Sequence, residues 1–520
     1  MGWRDKLNGW FGFRRAPAAN SAPRIVIASD VHLGEEVGEG DAPFVEHIQA
    51  INTQFSSFID AQHGSGTEPV VLVINGDWID FLRTLVHPNP IEARLHRTRP
   101  LTPREERLGL DSSREHAVWK LGSVIGFHRP IFEALARFVG AGHQLVIIRG
   151  NHDVEMYWPE VREAVVATLA EMAGCSVDEA ALRVRFEPWF HHVPGRVYVE
   201  HGHQYDPHCS YKDLLDPVED EGRSLALPYV SWSIRYFAPL LHGAPAAEME
   251  NWSFFDFFRF AVLQPPARVL TATVAYVSLV VDVLARKSWR NTVGRPRIRA
   301  RHLRRLASVA DRAGLPVHLV ERLDAFKETP VSERFLGILL AFYLDRFLLL
   351  MLTSLGLLVA AVLPLALTTR IALALGVLLT SILTHEVLRR LRTLEAEAHL
   401  EDKAQLIARL LGVPFVSFGH SHEPGMHPEV TPPGFAPSRF YVNSGHWVSR
   451  YHRTAHTYVE VSGPAAAPVA RLMRWEGPGT TPTELGRATP GHAPTLSGQA
   501  PPRSDAISDQ DTTGDEVEPA

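Results

Sequence analysis

Aspartate, asparagine and histidine residues stand close together in five short motifs of the chain. In sequence order these are Asp30-Val31-His32, Gly76-Asp77-Trp78-Ile79-Asp80, Gly150-Asn151-His152-Asp153, His201-Gly202-His203 and Gly419-His420-Ser421-His422. Carboxylate oxygens, imidazole nitrogens and amide oxygens are ligands for borderline divalent cations such as Mn²⁺, Fe²⁺ and Zn²⁺. The motifs therefore predict a metal site if the fold brings them together.

The spacing within two of the motifs suggests how the ligands are paired. In an extended segment, residues i and i+2 point in the same direction. Asp30 with His32, and His420 with His422, are thus each expected to offer two ligands from one strand end. Glycine permits tight backbone paths, and the motifs contain Gly76, Gly150, Gly202 and Gly419. The sequence predicts one site that is assembled from both ends of the chain.

Short runs rich in Val and Ile predict buried strands of an α/β sheet. The runs are Arg24–Ser29, Val70–Ile74, Gln144–Ile148, Val197–Glu200, Phe415–Phe418, Arg439–Val442, Thr457–Val461 and Val469–Trp475. Helix-like amphipathic stretches, for example Pro43–Gln62 and Pro130–Val139, lie between several of them. Because α/β proteins build sites in the loops after the carboxyl ends of their strands, we expect the motifs to meet at one edge of the sheet.

The composition narrows the kind of protein. The chain has 52 basic and 58 acidic residues and a formal net charge of −6, so its bulk charge does not indicate a nucleic-acid partner. It has 26 histidines but only two cysteines, Cys175 and Cys209. This excludes a CxxC thiolate site and is typical of a reducing compartment. A length of 520 residues is sufficient for more than one domain.

The middle of the chain, residues 211–404, is predicted to be a mainly helical insert. Phe347–Leu367 is a run of 21 residues without charge, which is the length expected of a membrane-spanning helix. Ile371–Thr384 has only 14 uncharged residues, and at ~1.5 Å rise per residue it reaches about 21 Å, less than the roughly 30 Å of a hydrocarbon core. Extension to residue 388 gives a predicted membrane hairpin over 347–388. A buried helical hairpin in a soluble insert is the alternative.

The flanking charges of this hairpin predict its orientation. Since His420 and His422 must meet Asp30 and His32, the insert can cross a membrane only an even number of times. Positive residues stand at both outer ends of the hairpin, namely Arg346 before it and Arg389, Arg390 and Arg392 after it. The positive-inside bias then predicts that those ends, and with them the part that carries the five motifs, lie in the cytoplasm.

Four other segments have distinctive compositions. Val269–Val283 is predicted to be an interfacial or buried helix. Arg286–Arg305 holds nine Lys or Arg residues and no acid, which indicates either a site for anionic lipid headgroups or a solvated basic loop. Residues 1–20 interleave aromatic and basic side chains, as interfacial segments do, with a frayed terminus as the alternative. Residues 476–520 have few large apolar side chains and are predicted to be disordered.

In order and content, the five motifs resemble the pattern of the calcineurin-like metallophosphoesterases, which is D-x-H, G-D-x-x-D, G-N-H-[DE], H and G-H-x-H. The resemblance covers about Arg24–His208 and Val413–Trp475. It implies an α/β fold in which a β-sandwich is flanked by helices. The insert at 211–404 would divide this domain into a first part, 21–210, and a second part, 405–475.

The same resemblance implies roles for individual residues. The first metal would be bound by Asp30, His32 and His422, the second by Asn151, His201 and His420, and both by the bridging Asp77. His152 would face the substrate as a general acid, held by a hydrogen bond to Asp80, and His203 ranks below His201 as a ligand. The implied reaction is hydrolysis of a phosphodiester or pyrophosphate by a hydroxide held between two divalent metal ions. Mn²⁺ is the first expectation for these ions, with Fe²⁺ or Zn²⁺ as alternatives.

Departures from the family pattern reduce the range of substrates to be expected. Protein phosphatases of this superfamily continue the second motif as Asp-Arg-Gly, whereas Asp80 is followed by Phe81-Leu82. The last motifs, with Asn443-Ser444-Gly445-His446, look somewhat like the UDP-2,3-diacylglucosamine hydrolases, which cleave a lipid-linked pyrophosphate but typically have arginine in place of His152.

The sequence thus predicts a membrane-associated phosphohydrolase whose catalytic part faces the cytoplasm. Its expected partners are a phosphoester or pyrophosphate substrate and membrane lipid, without nucleic acid. Two alternatives come from other classes. One is a membrane-associated scaffold that keeps the phosphoesterase fold, and the other is a soluble nucleotide phosphodiesterase.

Overall fold

The computed structural model describes residues 22–34, 42–63, 68–84, 109–219, 223–228, 295–334, 344–390, 396–448 and 455–496, with short pieces at 105, 231, 265, 267, 270–271, 274–281 and 337–338. Within these residues, two β-sheets pack face to face and helices cover the larger sheet. The α/β sandwich expected from the sequence is therefore present.

The larger sheet has eight strands, in the order β15-β14-β13-β12-β1-β2-β3-β4. Strands β1 to β4 are parallel to one another, and the pairings from β1 through β12 to β15 are antiparallel. The strands are β1 (Arg24–Ala28), β2 (Val70–Asn75), β3 (Gln144–Ile148), β4 (Val184–Glu187), β12 (Thr457–Ser462), β13 (Val469–Arg474), β14 (Thr483–Ala488) and β15 (Thr495–Leu496).

The smaller sheet has five strands, in the order β10-β11-β9-β6-β5. These are β5 (Phe190–Val193), β6 (Val197–Glu200), β9 (Phe415–Phe418), β10 (Gly425–Pro428) and β11 (Phe440–Asn443). A separate pair is formed by β7 (Val218–Glu219) and β8 (Ser224–Leu225). Because β1 pairs with β12 and β6 pairs with β9, each sheet combines strands from both ends of the chain.

Alternation along the strands of the larger sheet separates two apolar cores. In β1, Ile25 and Ile27 pack into the core between the sheets, whereas Val26 and Ala28 pack into the core beneath the helices. Successive side chains of a strand point to opposite faces, so a strand buried on both faces must be apolar at every position. This explains why the central strands are continuous Val and Ile runs.

Helices connect the parallel strands and cover the outer face of the larger sheet. Parallel strands require such crossover connections, and these cross between β1 and β2, β2 and β3, and β3 and β4. The crossover helices are α1 (Ala42–His63), α2 (Arg114–Phe127), α3 (Arg129–Gly140), α4 (Pro159–Ala173) and α5 (Val177–Ala181).

The described part of the insert is mainly helical. Its helices are α6 (Arg295–Ala313), α7 (Val317–Phe326), α8 (Leu344–Val362), α9 (Leu367–Arg390) and α10 (Ala396–Leu411), the last of which leads into β9. Ion pairs fasten α6 to the beginning of the insert, where Asp216 accepts from Arg301 at 2.7 Å and from Arg305 at 2.9 Å. Asp216 also accepts from the Tyr157 hydroxyl of the first part at 3.0 Å. These two arginines of the basic block Arg286–Arg305 therefore bind protein carboxylates, while residues 286–294 lie outside the described residues.

The apolar hairpin is present, but its helix ends differ from the prediction. Helix α8 ends at Val362 rather than at residue 367, and α9 already begins at Leu367 rather than at residue 371. Pro364 follows the end of α8, and proline cannot continue the hydrogen bonding of a helix. The Arg370 guanidinium binds the free carbonyl groups of Ala360 and Ala361, so this charged residue is accommodated inside α9. The second helix is consequently long enough to span a bilayer.

The structure also bears on the segments outside the hairpin whose conformation was predicted. Strands β14 and β15 lie within the segment 476–520, so the prediction of disorder is wrong for residues 476–496, and residues 497–520 lie outside the described part. Strand β14 pairs with β13 and so extends the larger sheet beyond the predicted strands.

Residues 274–281, part of the predicted interfacial or buried helix, are helical, with Leu279 buried and Val274, Val277 and Val281 exposed. The basic aromatic segment 1–20 lies outside the described residues.

Candidate metal centre

The loops that follow β1, β2, β3, β6 and β9 meet at one edge of the sandwich. Hydrogen bonds tie the first two loops together, because the N–H groups of Val31 and His32 both donate to the Asp77 carbonyl, at 3.0 and 2.9 Å. The loop after β9 joins them through the His420 N–H, which donates to Asp30 Oδ2 at 3.1 Å. The two ends of the chain therefore converge, as the sequence led us to expect.

Several residues in these loops have a backbone conformation that L-residues rarely adopt. The φ angle is 55° at Asp30, 51° at His32, 49° at Asp77, 67° at His420 and 62° at His422. The expectation of extended backbone at the paired ligands is therefore wrong, and turns bring these side chains together. Each left-handed residue costs on the order of 1–2 kcal/mol. Such strain persists where surrounding contacts hold it, and it is concentrated at functional sites.

Asp30, His32 and His422 form a first cluster that could hold a cation. His422 Nε2 lies 3.2 Å from Asp30 Oδ1 and 3.4 Å from His32 Nε2. His32 Nε2 is in turn 4.0 Å from Asp30 Oδ1 and 4.0 Å from Asp77 Oδ2. Three ligand atoms thus surround one position, with Asp77 at its border.

Asp77, Asn151 and His201 form a second group next to the first. His201 Nε2 lies 3.1 Å from Asp77 Oδ2 and 3.1 Å from Asn151 Oδ1. The orientation of this ring is fixed, because its Nδ1 is 2.9 Å from the carbonyl oxygen of Asn75. Asp77 Oδ2 therefore lies between His201 and His32, where one carboxylate could serve two cations.

His420 lies beside the second group, with a separate partner. Its ring centroid is 5.4 Å from that of His201. Its Nε2 faces Asp206, at 3.1 Å from Oδ2. The structure thus brings this predicted ligand to the site but directs one of its two ring nitrogens to a carboxylate outside the five motifs.

Asp80 contacts two histidines of the site. Its Oδ2 lies 2.9 Å from His152 Nδ1 and 3.2 Å from His32 Nδ1, while its Oδ1 accepts two main-chain N–H groups of the following turn. The His152 N–H donates to Asp77 Oδ1 at 2.8 Å. Asp80 therefore orients a predicted metal ligand as well as His152, whereas the sequence indicated a contact with His152 alone.

Within the site, the negative carboxylates and the histidine rings shift the pKa values of one another. Burial raises the pKa of Asp30, but the nearby His201 and His422 outweigh burial and hold that pKa well below its usual range. Burial lowers the pKa of His201, yet the carboxylates of Asp77 and Asp30 outweigh it and raise that pKa to about 9. Without metal, protonated imidazole thus neutralises the carboxylates near neutral pH. A divalent cation bound by these ligands would displace the protons.

The side chains fit divalent metal ions. Asp30 Oδ1 is buried and lies 3.2 Å from His422 Nε2 and 4.0 Å from His32 Nε2, so polar atoms of three predicted ligands face a position that a cation could occupy. The donor set of carboxylate, imidazole and amide is that of borderline divalent metals. The clusters Asp30-His32-His422 and Asp30-Asp77-His201 could therefore hold two ions.

Two glycines permit the close approach of the loops. A Cβ atom at Gly150 would overlap the Asp77 carboxylate, and one at Gly419 would overlap the Asp30 carboxylate. At Gly419 the Ser29 Oγ would also lie only 2.5 Å away. The glycines of the third and fifth motifs are thus required by packing against the predicted ligands.

Three charged residues at the site were not singled out by the sequence analysis. Asp206 faces His420, as described above. Asp153 accepts main-chain N–H groups of two loops, at 2.6 and 3.0 Å, and so ties them together. Arg83 is buried with its Nε 3.8 Å from Asp80 Oδ2, so it places a positive charge beside the carboxylate that contacts His152 and His32. Asp153 alone had a visible pattern, as the last residue of the third motif.

His203 and His446 flank the clusters. The His203 ring centroid lies 5.3 Å from that of His201. Burial, together with the charges of His201 and His420, lowers the pKa of His203 well below its usual range, so this ring is neutral. The His446 ring centroid lies 5.5 Å from that of His422. Both histidines are neighbours of the predicted ligands.

The two sheets thus carry adjoining Asp and His clusters at one edge, and these clusters could hold metal ions. Residues 23–252 match the family model described as calcineurin-like phosphoesterase. The match includes the first four motifs, and the fifth, at 419–422, joins them through the fold. A comparison with curated proteins gives no match.

Proposed function

We propose that the protein hydrolyses a phosphodiester or pyrophosphate bond with two divalent metal ions and with His152 as the general acid. The observation that carries this proposal is the position of Asp77. Its Oδ2 lies 3.1 Å from His201 Nε2 and 4.0 Å from His32 Nε2, so it borders both ligand groups. The family match independently supports metal-dependent phosphoester hydrolysis.

The chain's own residues would hold the ions and supply the proton. Asp30, His32 and His422 are proposed for one ion, Asn151, His201 and His420 for the other, and Asp77 for both. Two bound divalent cations would lower the pKa of a water molecule and offset the charge of the phosphoryl oxygens.

His152 would protonate the leaving oxygen. Asp80 binds its Nδ1 at 2.9 Å, which leaves Nε2 as the proton-donating atom. Burial raises the pKa of Asp80, but the charge and hydrogen bond of His152, the hydrogen bond of His32 and the charge of Arg83 together outweigh burial and hold that pKa well below its usual range. The carboxylate is therefore anionic at neutral pH and stabilises the protonated imidazole. A positioned acid of this kind contributes about 10²–10⁴-fold to the rate.

The substrate is proposed to be presented at a membrane, as a lipid-linked ester or pyrophosphate would be. Helices α8 and α9 are long and apolar enough to cross a bilayer, and buried residues make up only 12% and 0% of their most apolar stretches. A hairpin that served as the core of a soluble insert would be mostly buried. Arginines at its outer ends favour a cytoplasmic catalytic part.

A metal add-back assay tests the proposed activity. The purified full-length protein, stripped with a chelator and then supplied with Mn²⁺, is expected to hydrolyse bis-p-nitrophenyl phosphate. Asp77→Asn and His420→Ala should abolish this activity and lower the bound metal, measured by elemental analysis. Matched controls are Asp178→Asn in α5 and His492→Ala, since both residues are exposed.

The two kinds of outcome are distinct. Full activity in Asp77→Asn would show that the assigned centre is wrong. Bound metal without turnover in the unmodified protein, over a panel of nucleotide, sugar-nucleotide and phospholipid esters, would instead favour the scaffold alternative.

A further inference from the structure

The ring of His420 is held by a carboxylate that lies outside the five motifs. Its Nε2 is 3.1 Å from Asp206 Oδ2, and its main-chain N–H is 3.1 Å from Asp30 Oδ2. A neutral imidazole has one ring nitrogen that donates and one that accepts. If Nε2 donates to the carboxylate, Nδ1 is the nitrogen that remains for a cation.

Asp206 is itself fixed within its loop. The loop follows the 3₁₀ turn His203–Tyr205, directly after the predicted ligand His201. The second carboxylate oxygen, Oδ1, accepts the His208 N–H at 2.8 Å, and the Asp206 carbonyl accepts the Ser210 N–H at 2.8 Å. Both carboxylate oxygens are therefore engaged, one by the loop and one by His420.

The insert braces this loop on both sides of Asp206. The Glu328 N–H donates to the Gln204 carbonyl at 2.8 Å, and the Val331 N–H donates to the Pro207 carbonyl at 2.8 Å. These contacts join the segment Glu328–Val331 to the main chain before and after Asp206. The carboxylate thus keeps its place through backbone contacts that do not involve its own side chain.

A second part of the insert holds the brace. Lys403 in α10 donates to the Phe326 carbonyl at 2.7 Å and pairs with Glu328 at 2.9 Å. Helix α10 leads into β9, whose end carries His420. The insert therefore contacts the Asp206 loop and also continues into the strand that presents the histidine.

We propose that Asp206 is a positioning residue, which accepts the Nε2 proton of His420 and so turns Nδ1 toward the second metal position. This inference rests on the proposed function, because the ring orientation matters for a bound cation. Carboxylate partners of metal-binding histidines fix the tautomer and raise the basicity of the ring, and their loss typically costs about 10–100-fold in metal affinity.

Direct ligation by Asp206 is the competing arrangement. Asp206, Cys209 and His420 also place three ligand atoms within 4.8 Å of one another, so an ion could sit among them. The two arrangements differ in the role of Cys209. It is a ligand if Asp206 binds the ion directly, and it does not bind the ion if Asp206 only positions His420. They also differ in the effect of asparagine at 206, whose amide oxygen still accepts a hydrogen bond but is a weaker ligand than a carboxylate.

Metal titration of the full-length protein tests the inference. The chelator-stripped protein is titrated with Mn²⁺ by calorimetry, and the unmodified chain is expected to bind two equivalents. Asp206→Ala should weaken one equivalent by about 10–100-fold and leave the other unchanged, with Asp206→Asn between the two. The controls are Cys209→Ala and Asp213→Ala, both with unchanged affinities. Asp213 belongs to the same segment but pairs with Arg299 at 3.3 Å.

Each outcome has a separate meaning. Failure of the unmodified protein to bind two equivalents would contradict the proposed function itself. Two equivalents with unchanged affinities in both Asp206 variants would overturn the positioning role. Weaker binding in Cys209→Ala would overturn it as well, because the ion would then lie among Asp206, Cys209 and His420. A folded Asp206→Asn, checked by circular dichroism, keeps the test valid if Asp206→Ala unfolds.

Discussion

The carboxylate of Asp80 connects two functions that the sequence suggested separately. It contacts His152, the proposed proton donor, and His32, a proposed metal ligand, through the same Oδ2 atom. Removal of Asp80 would therefore disturb metal binding and proton donation together. The two effects are better separated by changing His152, which touches the substrate in the proposed mechanism without holding a metal ion.

We expect His152→Ala to reduce turnover most for substrates with a poor leaving group. An alkyl phosphodiester releases a basic alkoxide that needs a proton, so its kcat should fall by about 10²–10⁴-fold. For bis-p-nitrophenyl phosphate, whose leaving group is a stable anion, the loss should be much smaller. Steady-state kinetics with both substrates measure the difference. Equal losses for the two would rule out proton donation by His152.

His201 should make the metal-free protein less stable as the pH rises. Its pKa is raised from 6.5 to about 9 in the folded protein, where burial is outweighed by the charges of Asp77 and Asp30. A raised pKa gives stability that is complete below the unfolded value and is lost as the pH passes through the folded value. The free energy of unfolding should therefore fall by on the order of 3 kcal/mol between pH 6.5 and 9.

Urea unfolding of the chelator-stripped protein at these two pH values measures this change. His201→Asn should flatten the pH dependence. Metal affinity should change in the opposite direction, since a cation requires the neutral imidazole and binds more tightly as the pH rises. A metal-free protein that is equally stable at both pH values would contradict the assigned charge balance.

At the scale of elements, the loops that close the site depend on small residues at their contacts. Gly419, at the end of β9, packs against the Asp30 carboxylate at the end of β1. These two strands belong to different sheets, so this contact is also where the edges of the sandwich meet. Space at this position is therefore as necessary to the site as the ligands.

Gly419→Ala should destabilise the protein and reduce bound metal. The added Cβ overlaps the carboxylate that is proposed to bind the first ion, and overpacking of this kind typically costs about 1–3 kcal/mol. The matched control is Gly122→Ala in α2, where a Cβ meets no atom within 4 Å. That control should stabilise the helix by up to about 1 kcal/mol. Unfolding midpoints and Mn²⁺ content of both variants test the contrast.

At the scale of the whole molecule, the two halves of the domain are held together by shared sheets and by the insert. The β1–β12 and β6–β9 pairings join the two ends of the chain. The insert contacts the first part through Asp216, which accepts from the Tyr157 hydroxyl, and through the segment Glu328–Val331, which donates to main-chain carbonyls of the Asp206 loop. Its hairpin extends from this base, and Arg346 donates to the His385 carbonyl at 2.9 Å, so the two ends of the hairpin are adjacent.

Replacement of residues 347–384 by a short Gly-Ser linker should separate membrane binding from catalysis. We expect the full-length protein to sediment with membranes and to be released by detergent but not by high salt, because apolar helices span the bilayer. The linker variant should stay in the supernatant and retain hydrolysis of soluble diesters. Full-length protein that remains soluble without detergent would contradict the membrane hairpin.

The strands that the sequence predicted lie inside the sheets, whereas those it did not predict lie at the edges, except for β14, which lies between β13 and β15. All eight predicted runs are strands, with ends that shift by at most one residue. The missed strands include β4, β5, β10 and β15, each at the edge of a sheet. Edge strands are half exposed and carry charged or polar residues, for example the sequence His191-His192 in β5. They therefore lack the continuous apolar pattern that identifies a central strand.

For the site, too, some features could be predicted from the sequence and others required the tertiary structure. The residue types of the five motifs, and their positions after strand-like runs, were sufficient to predict which side chains meet, because parallel strands end at a common edge. The left-handed backbone at five predicted ligands and the partnership of Asp206 with His420 required the tertiary structure, because both depend on contacts between segments distant in the chain. The end of α8 at Val362 is different, since Pro364, which cannot continue a helix, is visible in the sequence. Patterns within one segment reveal what that segment can bury or bind, whereas the conformation and partners of its polar groups are decided by whatever packs against them.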